Sequence, residues 1–155
     1  MKGVIMANVF DVAKYILQKE GSLTAMKLEK LCYYAQAWQL VWSEKRLFKN
    51  QIQAWENGPV TPDLYNWHRR QFIVDINSDL EARCENNLNA DEIDTINCVL
   101  RDYDKYTAQQ LSDLTHQERP WDEIYKENKE PDGRCSAEIP VALIHEYYSG
   151  LQNVQ

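Results

Sequence analysis

Glycine is scarce in this chain: there are five in 155 residues, and none falls in a GxxxxGK[ST], GxGxxG or GxSxG arrangement. Phosphate cradles and nucleophile elbows need glycines at those spacings for tight turns and close backbone approach. Nothing here therefore points to a nucleotide-binding enzyme or a serine hydrolase. The four cysteines, Cys32, Cys84, Cys98 and Cys135, form no CxxC or CxxxC pair and have no histidine at ligand spacing, so no metal or other cofactor is expected. The three histidines are far apart. His145-Glu146 begins like a zinc-protease helix, but the position for the second histidine holds Ser149. His116 follows a capped helical stretch, where capping or packing suits it better than catalysis. The chain reads as a non-enzyme.

Long hydrophobic runs are also missing, and the start "MKGVIMANVF" has no signal-peptide core. Cys32 and Cys98 fall on apolar helical faces, so the expectation is a cytoplasmic protein with reduced thiols. Basic charge is in deficit, with a net −7, and unevenly placed. Residues 1 to 70 hold ten Lys or Arg against six Asp or Glu, a net +4; residues 71 to 155 hold seven against eighteen, a net −11. Wrapping a phosphate backbone needs a basic surface, so nucleic acid is not an expected partner. The polarity does permit a protein docked on one half.

What the sequence has in quantity is helical patterning. Asn8 is a natural N-cap for Val9, Val12, Ala13, Ile16 and Leu17 on one face, with Gly21 as the stop. Thr24 caps a longer helix whose Leu28, Leu31, Ala35, Trp38 and Trp42 repeat as an apolar stripe, and both tryptophans are read as core. Ile52, Ala54 and Trp55, before an Asn57-Gly58-Pro59 turn, suggest a small extended or hairpin insertion around residues 47 to 60, with Trp55 pinning it onto that helix. Thr61 and Pro62 open a further helix. The stretch from Asn77 to Asn89 reads as a loop or a short frayed helix. Asn89 caps a helix carrying Ile93, Ile96, Leu100 and Tyr103, and Thr107 with Gln110 forms a capping box. Pro120 ends that helix or begins another, "KENKEPDGRC" is a turn-rich loop, and Pro140 starts a last helix to about residue 151 with Leu143, Ile144, Tyr147 and Leu151. The expected fold is mainly α: residues 1–155 as a single domain, a bundle of five to six helices with the small insertion.

The densest aromatic stretch is "AWENGPVTPDLYNWHRR", residues 54 to 70. Tryptophan and tyrosine offer large contact areas with few rotamers to freeze. On the helix from Pro62, Leu64 pairs with Trp67 and Tyr65 with His68, on two faces that cannot easily both go inward. This indicates an aromatic recognition surface. A helix-turn-helix regulator also fits residues 8 to 42 by pattern, but its second helix carries Trp38 and Trp42 rather than base-reading side chains.

Taken in order, Lys27, Leu28, Lys30, Leu31, Tyr33 and Tyr34, then Leu47-Phe48, Ala54-Trp55, Gly58-Pro59-Val60 and Tyr65, then Leu111, Thr115, His116, Pro120 and Trp121, resemble the signature of the Panacea domain of SocA-like, phage-associated antitoxins. The resemblance spans about residues 8 to 125. It implies an antitoxin that neutralises a cognate toxin, encoded nearby, by direct binding. The resemblance also allows a proteolytic adaptor that presents the toxin to a Clp protease, and the helix-turn-helix pattern keeps a DNA-binding regulator of phage or mobile-element genes as a further alternative. Lys27, Leu28, Lys30, Leu31, Tyr34, Trp55, Gly58, Pro59 and Val60 are expected to build the scaffold. Tyr65, Trp67, His68, Arg69 and Arg70, followed by His116 and Trp121, are the candidate partner contacts.

Overall fold

The computed structural model describes residues 5–153; residues 1–4, part of the start read for a signal-peptide core, lie outside them. Along the chain come α1 (Val9–Glu20), β1 (Leu23–Thr24), α2 (Ala25–Ser43), β2 (Gln53–Trp55), β3 (Gly58–Val60), α3 (Pro62–His68), β4 (Ile73–Val74), α4 (Ser78–Arg83), α5 (Ala90–Tyr103), α6 (Ala108–His116), α7 (Arg119–Asn128) and α8 (Val141–Asn153). The architecture is mainly helical, with one hydrophobic core and two small antiparallel sheets. The chain divides into more and shorter helices than the five or six expected, because α4 is a full turn capped by Asn77 and Pro120 lies in the first turn of a separate α7.

Local chemistry sets the helix starts. Asn8 and Asp11 exchange side-chain and backbone hydrogen bonds at the head of α1, as Asn89 with Glu92 and Thr107 with Gln110 do for α5 and α6. Thr24 accepts the Lys27 N–H at 3.2 Å. Gly21 ends α1 at φ 76, where a side chain would be strained.

The apolar stripe expected on α2 is replaced by burial on all sides. Every residue from Leu28 to Ala37 is buried, polar ones included, because α1, α5, α6 and α8 all pack on this one helix. Buried polar groups must then find partners. Gln36 donates to the Phe48 carbonyl at 2.7 Å and accepts the Leu47 and Phe48 N–H groups at 2.6 and 3.3 Å, which ties the loop after α2 back onto it. At the other side Glu118 accepts the Tyr34 and Tyr148 hydroxyls at 2.6 and 2.7 Å, joining α2, α8 and the head of α7. Burial raises the Glu118 pKa, and the two hydroxyl donors oppose that rise. Tyr148, absent from the face expected for the last helix, is its most deeply buried aromatic.

Trp42 departs from its core assignment. Beyond Leu40 the helix is only partly covered, and Trp42 is 44% exposed, stacking on Trp38 at 5.3 Å and donating Nε1–H to Gln152 at 2.8 Å. The hairpin is present, but its turn is Glu56–Asn57; Gly58 and Pro59 belong to β3, in the register Gln53↔Val60, Ala54↔Pro59, Trp55↔Gly58. The outer side of β2 is covered by residues 137–139, through Ala54 N–H to Ala137 O and Ile139 N–H to Ile52 O. Trp55 does not pin the hairpin to α2 as expected. Its ring meets Tyr65 of α3 edge-on at 4.8 Å, and its carbonyl accepts Nε1–H of Trp121 at 2.7 Å. A second ladder, Leu23↔Val74 and Thr24↔Ile73, joins β1 to β4 and has no counterpart in the sequence reading.

Candidate functional site

A cleft of about 940 Å³ opens where the start of α2, the β2–β3 turn, α3 with the turn after it, and the segment around residues 128–137 converge. Its wall begins with two adjacent α2 residues, Glu29 and Lys30, both buried although charged. Glu29 is fully engaged. One carboxylate oxygen accepts the Thr61 N–H at 2.9 Å and the other meets His68 Nε2 at 2.7 Å, so α3 is fastened to α2 by its first cap and its last residue.

Lys30 takes a different route. Its Nζ donates to the Pro59 carbonyl at 3.1 Å, and burial lowers its pKa to about 8, with the Glu29 charge acting the other way. The contact requires Gly58. This residue sits at φ 123, and a Cβ there would stand 2.5 Å from Lys30 Cε and 3.1 Å from Thr115 Oγ1. The Gly-Pro pair thus has a reason that reaches beyond its own turn: glycine makes room for the lysine stem and proline supplies the acceptor.

The mouth of the cleft is built by the turn after α3. Arg70 adopts φ 74, and the Gln71 N–H donates to His68 O at 2.9 Å, so the chain reverses and enters β4. Phe72 and Ile73 are left 79% and 60% exposed beside Arg69 and Arg70, while Val74 turns inward. Exposed apolar side chains grouped in this way mark a contact surface more often than isolated ones do.

The candidate contact residues separate into three groups. Tyr65, His68, Arg69 and Arg70 all line the cleft. Trp67 does not: it is 4% exposed, with Nε1–H donating to Asn77 at 3.2 Å, so in this conformation it is a core residue. Both Trp67 and His68 go inward, contrary to the expectation that only one face of α3 could, because Glu29 supplies His68 with a buried partner. His116 and Trp121 stack at 3.8 Å, Trp121 stacks in turn on Tyr125 at 4.6 Å, and this column braces the hairpin. His116 Nε2 is buried without a hydrogen-bond partner, and burial lowers the pKa of its ring.

Of the scaffold residues, Leu28, Leu31 and Tyr34 are buried in the core, and Lys27 donates to the Asp104 carbonyl at 2.6 Å. The sequence reading missed Glu29, Phe72 and Ile73. For the first, the available signal was a Glu-Lys pair set between Leu28 and Leu31 of an amphipathic helix. For the others it was an apolar pair just outside a helix and next to two arginines.

No helix among the described residues is long and apolar enough to cross a membrane. Nor does any group of three or more His, Cys, Asp or Glu among them form a metal-holding cluster. The class is thus a mainly helical domain around a buried central helix, with a wide cleft along the hairpin side. Residues 28–122 match the family described as antitoxin SocA-like, Panacea domain. The chain belongs to that family. No curated protein and no solved structure was found to match it.

Proposed function

We propose that this chain is the antitoxin of a toxin–antitoxin pair, a non-catalytic cytoplasmic protein that neutralises a cognate toxin by stoichiometric binding at the mouth of the cleft. The observation that carries the reading is the joint one: the matched region is that of an antitoxin family, and the elements inside it hold Arg69, Arg70, Phe72 and Ile73 together on an exposed turn. The turn is anchored from below by the Glu29–His68 contact and by the Ala25 N–H donating to Phe72 O at 2.9 Å. A surface fixed in advance loses little conformational entropy on association, which favours tight binding.

The experiment is co-expression. The open reading frame next to this gene is induced alone and together with the chain, and colonies are counted. Death alone and rescue together is the expected result; a neighbouring frame that is toxic and not rescued contradicts the proposal. Following toxin lifetime in the rescued cells separates plain neutralisation, which leaves it unchanged, from presentation to a protease, which shortens it.

A further inference from the structure

Lys30 is the least expected group in the cleft wall. Its side chain is among the largest that are fully buried, and the residue is 1% exposed. An ammonium has three N–H donors, and one acceptor, the Pro59 carbonyl, is in place among the described residues. Buried cations ordinarily stand against a carboxylate. The adjacent Glu29 points elsewhere, towards Thr61 and His68, and no carboxylate among the described residues lies within ion-pair distance of Lys30. Holding the Gly58–Pro59 strand alone would not require a charge, whereas receiving an anion would.

The mouth repeats the theme. Arg69 and Arg70 are exposed and have no carboxylate within ion-pair distance among the described residues, although the chain as a whole is acidic. Next to them stands Phe72, and Ala25, Met26 and Val60 add apolar wall. The volume lies at the upper end for small-molecule pockets and suits several residues of extended chain.

We infer that the cleft receives an extended, acidic segment of a protein partner, with one carboxylate taking up the remaining donors of Lys30. Neighbouring acidic side chains meet Arg69 and Arg70, and an apolar side chain covers Phe72. A nucleic acid fits less well, because Glu56 and Glu130 interrupt the row of cations that an evenly spaced phosphate track needs, whereas a peptide can set its acidic side chains opposite Lys30, Arg69 and Arg70 and neutral ones opposite the glutamates. The inference rests on the antitoxin reading only in making the partner a toxin.

The test uses the purified full chain and a fluorescently labelled, end-capped decapeptide alternating Asp and Leu, with fluorescence anisotropy as the readout. Its Asn–Leu counterpart and a 20-nucleotide single strand are the controls. The acidic peptide is expected to bind about tenfold or more tightly than the Asn version, and Lys30→Met and the double variant Arg69→Ala/Arg70→Asn are each expected to weaken it about as much. If Lys30→Met no longer melts cooperatively, the arginine variant decides, since both its sites are exposed. Absence of binding, equal binding of the two peptides, unchanged binding in the variants, or preference for the oligonucleotide overturns the inference. Acidic-peptide binding without rescue of any neighbouring toxin defeats the antitoxin reading alone; rescue without peptide binding defeats this inference alone.

Discussion

Replacing Gly58 by alanine probes the join between the hairpin and the central helix. Two penalties act together. An L side chain at φ 123 is strained by roughly 1–3 kcal/mol. The new Cβ would also press on Lys30 Cε at 2.5 Å, so the end of the lysine side chain must swing away towards the cleft it lines. Displacing the amine gives up its hydrogen bond to the Pro59 carbonyl and leaves that buried acceptor unmet, about 1–3 kcal/mol more. A total near 4 kcal/mol corresponds to a fall in melting temperature of about 8–16 °C in a domain of this size. Thermal denaturation followed by far-ultraviolet circular dichroism measures it. Gly21→Ala is the control, since Gly21 also has a positive φ, 76, but nothing within 4 Å of its would-be Cβ. It is expected to lose only the backbone part. A Gly58→Ala loss no larger than that of Gly21→Ala would refute the reasoning, and so would additivity of Gly58→Ala with Lys30→Met, which share one contact and should couple by about 1 kcal/mol or more.

Further expectations follow from the other buried polar groups. Glu29→Ala removes the partner of His68 and the acceptor of the Thr61 N–H together, so a loss of about 3–5 kcal/mol is expected in urea denaturation, with Glu29→Gln losing clearly less. Glu118→Gln keeps an oxygen for Tyr34 and Tyr148 and should stay within about 1.5 kcal/mol of the parent at neutral pH, whereas Glu118→Ala should lose about 2 kcal/mol or more. Lys30 gives a pH signature. Its folded pKa of about 8 lies below the ordinary 10.5, so the unfolded chain binds more protons between those values. The stability of the parent relative to Lys30→Met should therefore rise as pH increases from 8 towards 9.5; the comparison cancels the opposing contribution of Cys32 and Cys84, whose thiols burial pushes up. Trp42→Ala, at an exposed position, should change stability by no more than about 1 kcal/mol, unlike a core tryptophan.

The parts of the fold legible in the sequence are those decided within a few residues. Asn8, Thr24, Asn89 and Thr107 announce their helices because a cap bonds to a backbone N–H three positions on. The hairpin was visible from Ala54-Trp55 and the Gly-Pro pair for the same reason, though its turn fell one residue earlier. What escaped depends on partners far along the chain. Periodicity puts Trp42 on the same stripe as Trp38, yet only the placement of α8 decides that its ring stays open to solvent. Likewise Lys30 and Pro59 lie 29 residues apart, and Glu29 and His68 lie 39 apart. The places of Lys30 and Pro59 in the signature suggested scaffold, and the geometry adds that Lys30 also lines the cleft.

The same long-range packing explains the uneven result at the candidate site. Tyr65, His68, Arg69 and Arg70 meet at one cleft because α3 and its reversing turn carry them all. Trp67, between them in sequence, turns to the core because a helix places successive side chains about a quarter-turn apart. His116 and Trp121 belong to a stack that supports the hairpin from α6 and α7.

The most direct measurement is hydrogen–deuterium exchange on the chain, alone and in complex with the toxin identified by co-expression. Slowed exchange concentrated at residues 69–74 and around 130–137, with α4 and α5 unchanged, is what binding at the cleft mouth predicts. Protection confined to other surfaces, with residues 69–74 exchanging as in the free chain, would contradict it.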